Sequence, residues 1–164
     1  MLTIYIKGRD EAEMMTIDEM KQLLQASLPP KRYKHSVHVY ETALELAKSH
    51  KLPEEKIAIC ALLHDTLTVR EDVSVNMMFA EGVPLIVLRT VVALTRNPDE
   101  SLAEYIRRVR TDPLATAVKK SCLLHDMDMS RIKGKPSESD FERKYALQKA
   151  YTLLTLSLIH ISEP

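Results

Sequence analysis

The chain has 164 residues, 45% of them apolar and 28% charged, enough for one domain with a sizeable core. Lys+Arg and Asp+Glu both number 23, so the formal net charge is zero. That balance argues against a nucleic-acid-coating protein, which needs a basic surplus, while a small phosphorylated ligand needs only a local group of cations. The two cysteines, Cys60 and Cys122, are too few for a disulfide scaffold and point to a reducing, cytoplasmic setting. No secretory leader is legible. The longest apolar stretch, residues 83–94, is short for a bilayer and carries Arg89, so no membrane span is expected. Three glycines form no Gly-rich loop, which leaves any phosphate chemistry to side chains or a metal.

In chain order, residues 2–6 alternate weakly and predict a short strand or arm. Thr16 and Glu19 form a capping-box pattern ahead of a helix over 17–28, which Pro29-Pro30 ends. Pro30 starts a second helix whose shared face is His35, Val39, Thr42, Leu46 and Ser49. Lys51-Leu52-Pro53 breaks it, and Glu54-Glu55 opens an apolar helix that ends in His64-Asp65. Residues 66–73 read as a loop and 74–82 as a short helix. Residues 83–95 are apolar nearly all round, the pattern of a fully buried helix. A turn at Asn97-Pro98-Asp99 precedes an amphipathic helix over 101–110. Asp112-Pro113 starts another running to about residue 129, and a loop at 133–136 leads into a last helix over 137–156. No repeat or linker interrupts the pattern. It predicts an all-α domain of six to eight helices, over residues 17–156, between an arm (1–16) and a tail (157–164) that does not continue the helical pattern and reads as foreign to the native fold.

Two regions could carry chemistry. An apolar helix that ends in His64-Asp65 delivers an imidazole and a carboxylate to one place, and both ligate divalent ions. The preceding helix follows a short turn, so the pair packs antiparallel and the start of the first helix, with His35, meets the end of the second. His38 and His50 read as ordinary surface histidines. The other region is residues 118–131, where Cys122, Asp126 and Met129 share a helical face and His125-Asp126 looks like a second His-Asp dyad.

His35, then Ala61-Leu62-Leu63-His64-Asp65-Thr66, then a late helix, resembles the HD superfamily of metal-dependent phosphohydrolases. The resemblance covers roughly residues 17–156. Ala93-Leu94-Thr95-Arg96, Ser101-Leu102-Ala103-Glu104-Tyr105-Ile106, Asp112-Pro113-Leu114-Ala115 and the run 124–132 look closest to small stand-alone relatives of the guanosine tetra/pentaphosphate hydrolase domain of stringent-response enzymes. The first helical pair is equally similar to symmetrical dinucleoside-tetraphosphate hydrolases. The resemblance implies one divalent ion (manganese, zinc or iron) held by His35, His64, Asp65 and a fourth ligand from the late helix. That helix usually reads Val-Lys-Leu-Ala-Asp-x-x-His-Asn. Aligned here, the ligand Asp falls on Cys122, and His125-Asp126 takes the His-Asn step rather than forming a second metal dyad; Asp126, one turn on, is the alternative fourth ligand, and a weak or absent metal site is a third outcome. A Glu-Asp pair that activates water in the alarmone hydrolases falls on Thr68 and Val69, with Glu71 and Asp72 the candidates if the loop is longer.

The resemblance thus implies metal ligands His35, His64, Asp65 and Cys122, with catalytic Glu71 and Asp72. Lys31, Arg32, Lys34 and Arg96 are the candidate substrate-binding cations. The expected function is hydrolysis of a nucleotide phosphoester or pyrophosphate ester, of alarmone type, with a small phosphorylated substrate as partner and neither nucleic acid nor membrane. The departures at Cys122 and at Thr68-Val69 leave open a catalytically degenerate HD domain that binds a nucleotide or protein without turnover. A helical interaction protein with an accidental His-Asp is a third reading. Oligomeric state is not legible.

Overall fold

A computed structural model describes residues 16–156; the strand or arm expected at 2–6 and the tail at 157–164 lie outside the described residues. Within them the chain is all-α, with no strand. Helix α1 (Ile17–Ser27) begins at Thr16, whose hydroxyl caps Glu19 N while the Glu19 carboxylate accepts from Thr16 N. Helix α2 (Pro30–His50) has proline at its first position and ends at Lys51 in the left-handed region, φ 54°.

Helix α3 (Glu54–Leu63) is the centre of the molecule. Every side chain from Ile57 to Leu63 is buried. It packs on α2 and on the helices that follow: α6 (Leu85–Leu94) and α8 (Pro113–Met127). The α2 surface that meets this core is Ser36, Val39, Ala43 and Ala47. Its alanines let the two backbones approach closely. The stripe is therefore rotated from the one expected: Ser49 is exposed, and Thr42 and Leu46 are half-buried.

Two expectations are corrected. Residues 66–73 are not all loop: Thr66–Val69 form a single turn, α4, because Thr68 N and Val69 N donate to the Asp65 carbonyl and continue the helical path past His64. Helix α5 (Val75–Ala80) follows, capped by Ser74. Helix α6 is not buried all round. Val87, Leu88, Thr90, Val91 and Leu94 face the core, but Leu85 is 64% and Val92 44% exposed. Only one side of α6 meets other helices, and its apolar outer side stays on the surface.

Helix α7 (Leu102–Arg110) has a Ser101/Glu104 capping box. Arg108 clamps the turn before it, with its guanidinium on the Glu100 carboxylate (2.8 Å) and on the carbonyls of Ala93 and Thr95. Helix α8 starts at Asp112, whose Oδ1 accepts from Leu114 N and Ala115 N. A 3-10 turn, Met129–Arg131, follows, so Met129 lies past the helix rather than on one face with Cys122 and Asp126. Helix α9 (Glu138–Thr155) packs through Ala150 and Leu154 onto α7 and α8. No described helix is long and apolar enough to cross a membrane.

Asp112 also fixes where α8 sits, because its Oδ2 accepts from Thr90 Oγ1 on α6 (2.9 Å). Loss of an N-cap together with a part-buried hydrogen bond should make Asp112→Ala less stable by about 2 kcal/mol. Asp112→Asn, which keeps a capping oxygen, should lose less than half of that. Urea unfolding of the two variants measures the difference, and equal losses would mean that the cap is not what holds α8.

Candidate metal centre

The end of α3 projects His64 into the core, with 5% exposure. Its Nδ1–H donates to the Ala61 carbonyl at 2.7 Å. A carbonyl can only accept, so this bond fixes the ring and turns Nε2 away from the helix. That Nε2 is buried and has no hydrogen-bond partner. Packing of α2 along α3 sets the His35 ring 5.3 Å from that of His64, centroid to centroid. From α8 comes Cys122, a buried thiol. Ligand atoms of His35, His64 and Cys122 all lie within 4.8 Å of one another.

Asp65 stands beside this group. Its Oδ1 is 3.5 Å from His64 Nε2, and its Oδ2 accepts from Arg32 Nη1 at 3.0 Å. Of the four expected ligands, three therefore converge directly, and the fourth approaches His64 while paired to a cation from α2.

The electrostatics of the group favour a positive charge at its centre. Burial opposes a charge on His64, but the Cys122 sulfur, followed by the Asp65 carboxylate, outweighs it and raises the His64 pKa from 6.5 to about 9. His35 moves the other way, to about 4, because of burial and then the charge on His64. His64 Nε2, left free by the Nδ1 bond to Ala61, is the atom that would ligate a divalent cation in place of that proton. An orphaned ring nitrogen, a neutral imidazole and a sulfur donor fit such an ion, and this set suits zinc or ferrous iron better than magnesium.

A second group shares His35. Its ligand atoms and those of His125 and Asp126, at the end of α8, again lie within 4.8 Å of one another. His125 is buried, neither of its ring nitrogens has a hydrogen-bond partner, and burial followed by Arg131 lowers its pKa to about 4. Leaving such groups unmade costs about 1–3 kcal/mol each. His38 is exposed, as expected of a surface residue, and its ring also lies against that of His125, tilted by 44° at 4.3 Å between centroids.

Both groups border a cleft of about 370 Å³ lined by His35, Asp126, Lys31, Arg32 and Arg131, and by Asp140, Arg143 and Lys144 of α9. Of the candidate substrate-binding cations, Lys31 and Arg32 line the cleft. Lys34 is exposed and Arg96 binds the Glu100 carbonyl (2.8 Å); neither lines it. Of the candidate catalytic acids, Glu71 is exposed, and Asp72 is held bidentately by Arg70 (2.6 and 2.7 Å), which keeps its pKa near 2. Neither belongs to a metal-capable group. Arg143 and Lys144 went unnoticed in the sequence because nothing local ties α9 to the His-Asp helix. His38 and His125 had a signal: His35 and His38 are one turn apart, on a helix that also packs against α8.

Residues 32–111 match the HD domain family. This segment contains His35, His64 and Asp65 and stops before α8, so Cys122, His125 and Asp126 lie beyond it. Over 51 residues, 31% of the chain, the sequence is 41% identical to a symmetrical bis(5'-nucleosyl)-tetraphosphatase of Staphylococcus aureus (strain NCTC 8325 / PS 47). The match spans 26% of that protein's length.

In the metal-free protein, His64 should keep its proton up to about pH 9. A folded pKa above the unfolded value of 6.5 means a stabilising contribution present in full below 6.5 and lost as the pH rises through about 9. In Cys122→Ser, burial should dominate and drop the His64 pKa below 6.5. An NMR titration of the His64 Cε1–H signal checks this; titration below 6.5 in the metal-free wild type would show that burial outweighs Cys122 and Asp65 at His64.

Proposed function

We propose that the protein is a metal-dependent phosphohydrolase acting on a nucleotide phosphoester or pyrophosphate ester. The observation that carries this reading is His35, which is common to the converging ligand group and to the cation-lined cleft. A phosphate in that cleft lies next to the place an ion would occupy. The HD domain match and the tetraphosphatase identity support the same reaction class.

His35, His64, Cys122 and Asp65 are the residues that would hold the ion. Bound there, it would lower the pKa of water and polarise a phosphoryl oxygen. Lys31, Arg32, Arg131, Arg143 and Lys144 outnumber the carboxylates that also line the cleft, Asp126, Asp128 and Asp140, and would bind the substrate's phosphates. Arg32 spans both parts, because the guanidinium that would contact phosphate already holds Asp65 Oδ2 and orients that carboxylate. Of the two candidate bases, Asp72 is committed to Arg70, and Glu71, exposed and outside the cleft lining, would have to reach the site from the segment after α4. Zinc, iron and manganese are the candidate ions. A guanosine tetra/pentaphosphate and a dinucleoside tetraphosphate are the candidate substrates.

The second reading is a degenerate HD domain that binds its nucleotide without turnover. It is favoured by cysteine at the position where the family resemblance places aspartate, and by the Arg70–Asp72 pair.

Elemental analysis and a phosphate-release screen separate the two. Wild-type protein should carry about one equivalent or more of transition metal and turn over a nucleoside polyphosphate. His64→Ala should lose the metal and at least a hundredfold in rate. Lys144→Ala should raise KM about tenfold, from one lost charge-assisted phosphate contact, with kcat little changed. Metal and nucleotide binding without turnover would favour the degenerate reading.

A further inference from the structure

We propose that His35, His125 and Asp126 form a second divalent-cation site, of the borderline transition-metal class, on the cleft side of the Cys122 group. It shares His35 with the Cys122 group but takes its other two ligands from the last turn of α8, and it does not depend on the protein being a hydrolase.

His125 gives the first argument. It is 8% exposed, and both its ring nitrogens are buried without a hydrogen-bond partner. Its surroundings are other imidazoles: His35 at 4.8 Å and His38 at 4.3 Å between centroids. A neutral imidazole keeps one ring nitrogen free as an acceptor, so an unpartnered His125 has a nitrogen to give to a cation. The second argument is the spacing. His35 Nδ1 and Asp126 Oδ1 are 3.7 Å apart, too far for a hydrogen bond. Two ligands each about 2.1 Å from a tetrahedral ion stand about 3.4 Å apart, close to what is seen. The third argument is the frame. His35 and His38 are one turn apart on α2, and α2 packs along α8, so both sides of the site are carried by helices rather than loops. Asp126 lines the cleft and leaves the ion a face open to a ligand.

The donor set is nitrogen and oxygen, without sulfur, and that makes the two sites spectroscopically separable. Cobalt(II) titrations of the metal-free protein, with bound metal counted after dialysis, test the proposal. Wild type should bind two equivalents, with His35 bridging them as an imidazolate whose ring proton is released to solvent, and show a thiolate-to-cobalt charge-transfer band from Cys122. Cys122→Ser should lose that band yet still bind cobalt. Asp126→Asn, which alters a half-exposed carboxylate without changing its size, should keep the band and fall to one equivalent. The double variant should bind cobalt at least tenfold more weakly than Cys122→Ser, with circular dichroism showing the same fold. A Cys122→Ser protein that binds no cobalt, or a double variant that binds it as Cys122→Ser does, overturns the second site. So does a single equivalent lost equally in both single variants, which would mean one shared ion.

Discussion

A helix with no outer face organises this protein. From Ile57 to Leu63 the side chains of α3 are buried in every direction, so other helices must close around it: α2 along one side, α6 and α8 on others, and α1 across the start of the chain. Fully burying a large aliphatic side chain stabilises by about 1.5–3 kcal/mol, and Ile57 and Leu62 are among the most enclosed in the molecule. This burial brings α2 and α8 together over α3, which is what makes the chemistry possible. His64 is the next residue after that sheathed run. Its imidazole enters the interior because the helix bearing it is interior.

A cost accompanies that arrangement. Among the described residues, the buried side-chain polar atoms without partners are Ser36 Oγ, His64 Nε2, Thr66 Oγ1 and both ring nitrogens of His125. None is scattered elsewhere in the core: Ser36 follows His35, Thr66 follows Asp65, and the others are candidate ligands. Unmet polar atoms are uncommon in folded proteins, and a cluster of them marks a place kept for something other than packing. Elsewhere in the core, buried polar groups are satisfied. Thr90 donates to Asp112, Tyr105 donates to the Leu94 carbonyl, and Ser121 to the Ala117 carbonyl. Cys60 also shows the contrast with Cys122. Burial pushes its thiol up to about 12, as expected of a packing residue, and it belongs to no metal-capable group.

The cleft joins two kinds of surface. Its inner wall is the α2–α8 pairing with His35 and Asp126, and its outer wall is α9 with Asp140, Arg143 and Lys144. A chain of zero formal net charge thus gathers five cations around one opening. Their placement, and not their number in the whole chain, is what a phosphorylated ligand would meet.

The sequence by itself determined the helices and most of their ends. Capping boxes at Thr16 and Ser101 and prolines at 30 and 113 act within one turn of chain, so their effect is fixed locally. It also determined that His35 and His64 would be close, since a short turn between two helices forces antiparallel packing. Tertiary structure alone decided which side of each helix faces inward. The α2 stripe is turned from its expected face because Ala43 and Ala47 admit α3, and α6 keeps an apolar side in solvent because no helix covers it. It alone decided that His125 and Asp126 meet His35 and that Arg143 and Lys144 close the cleft. Those pairs are separated by 90 residues or more of chain, or lie on helices whose relative placement follows from core packing. Periodicity records what a helix does with its neighbours one turn away, and it carries no information about which distant helix will lie against it.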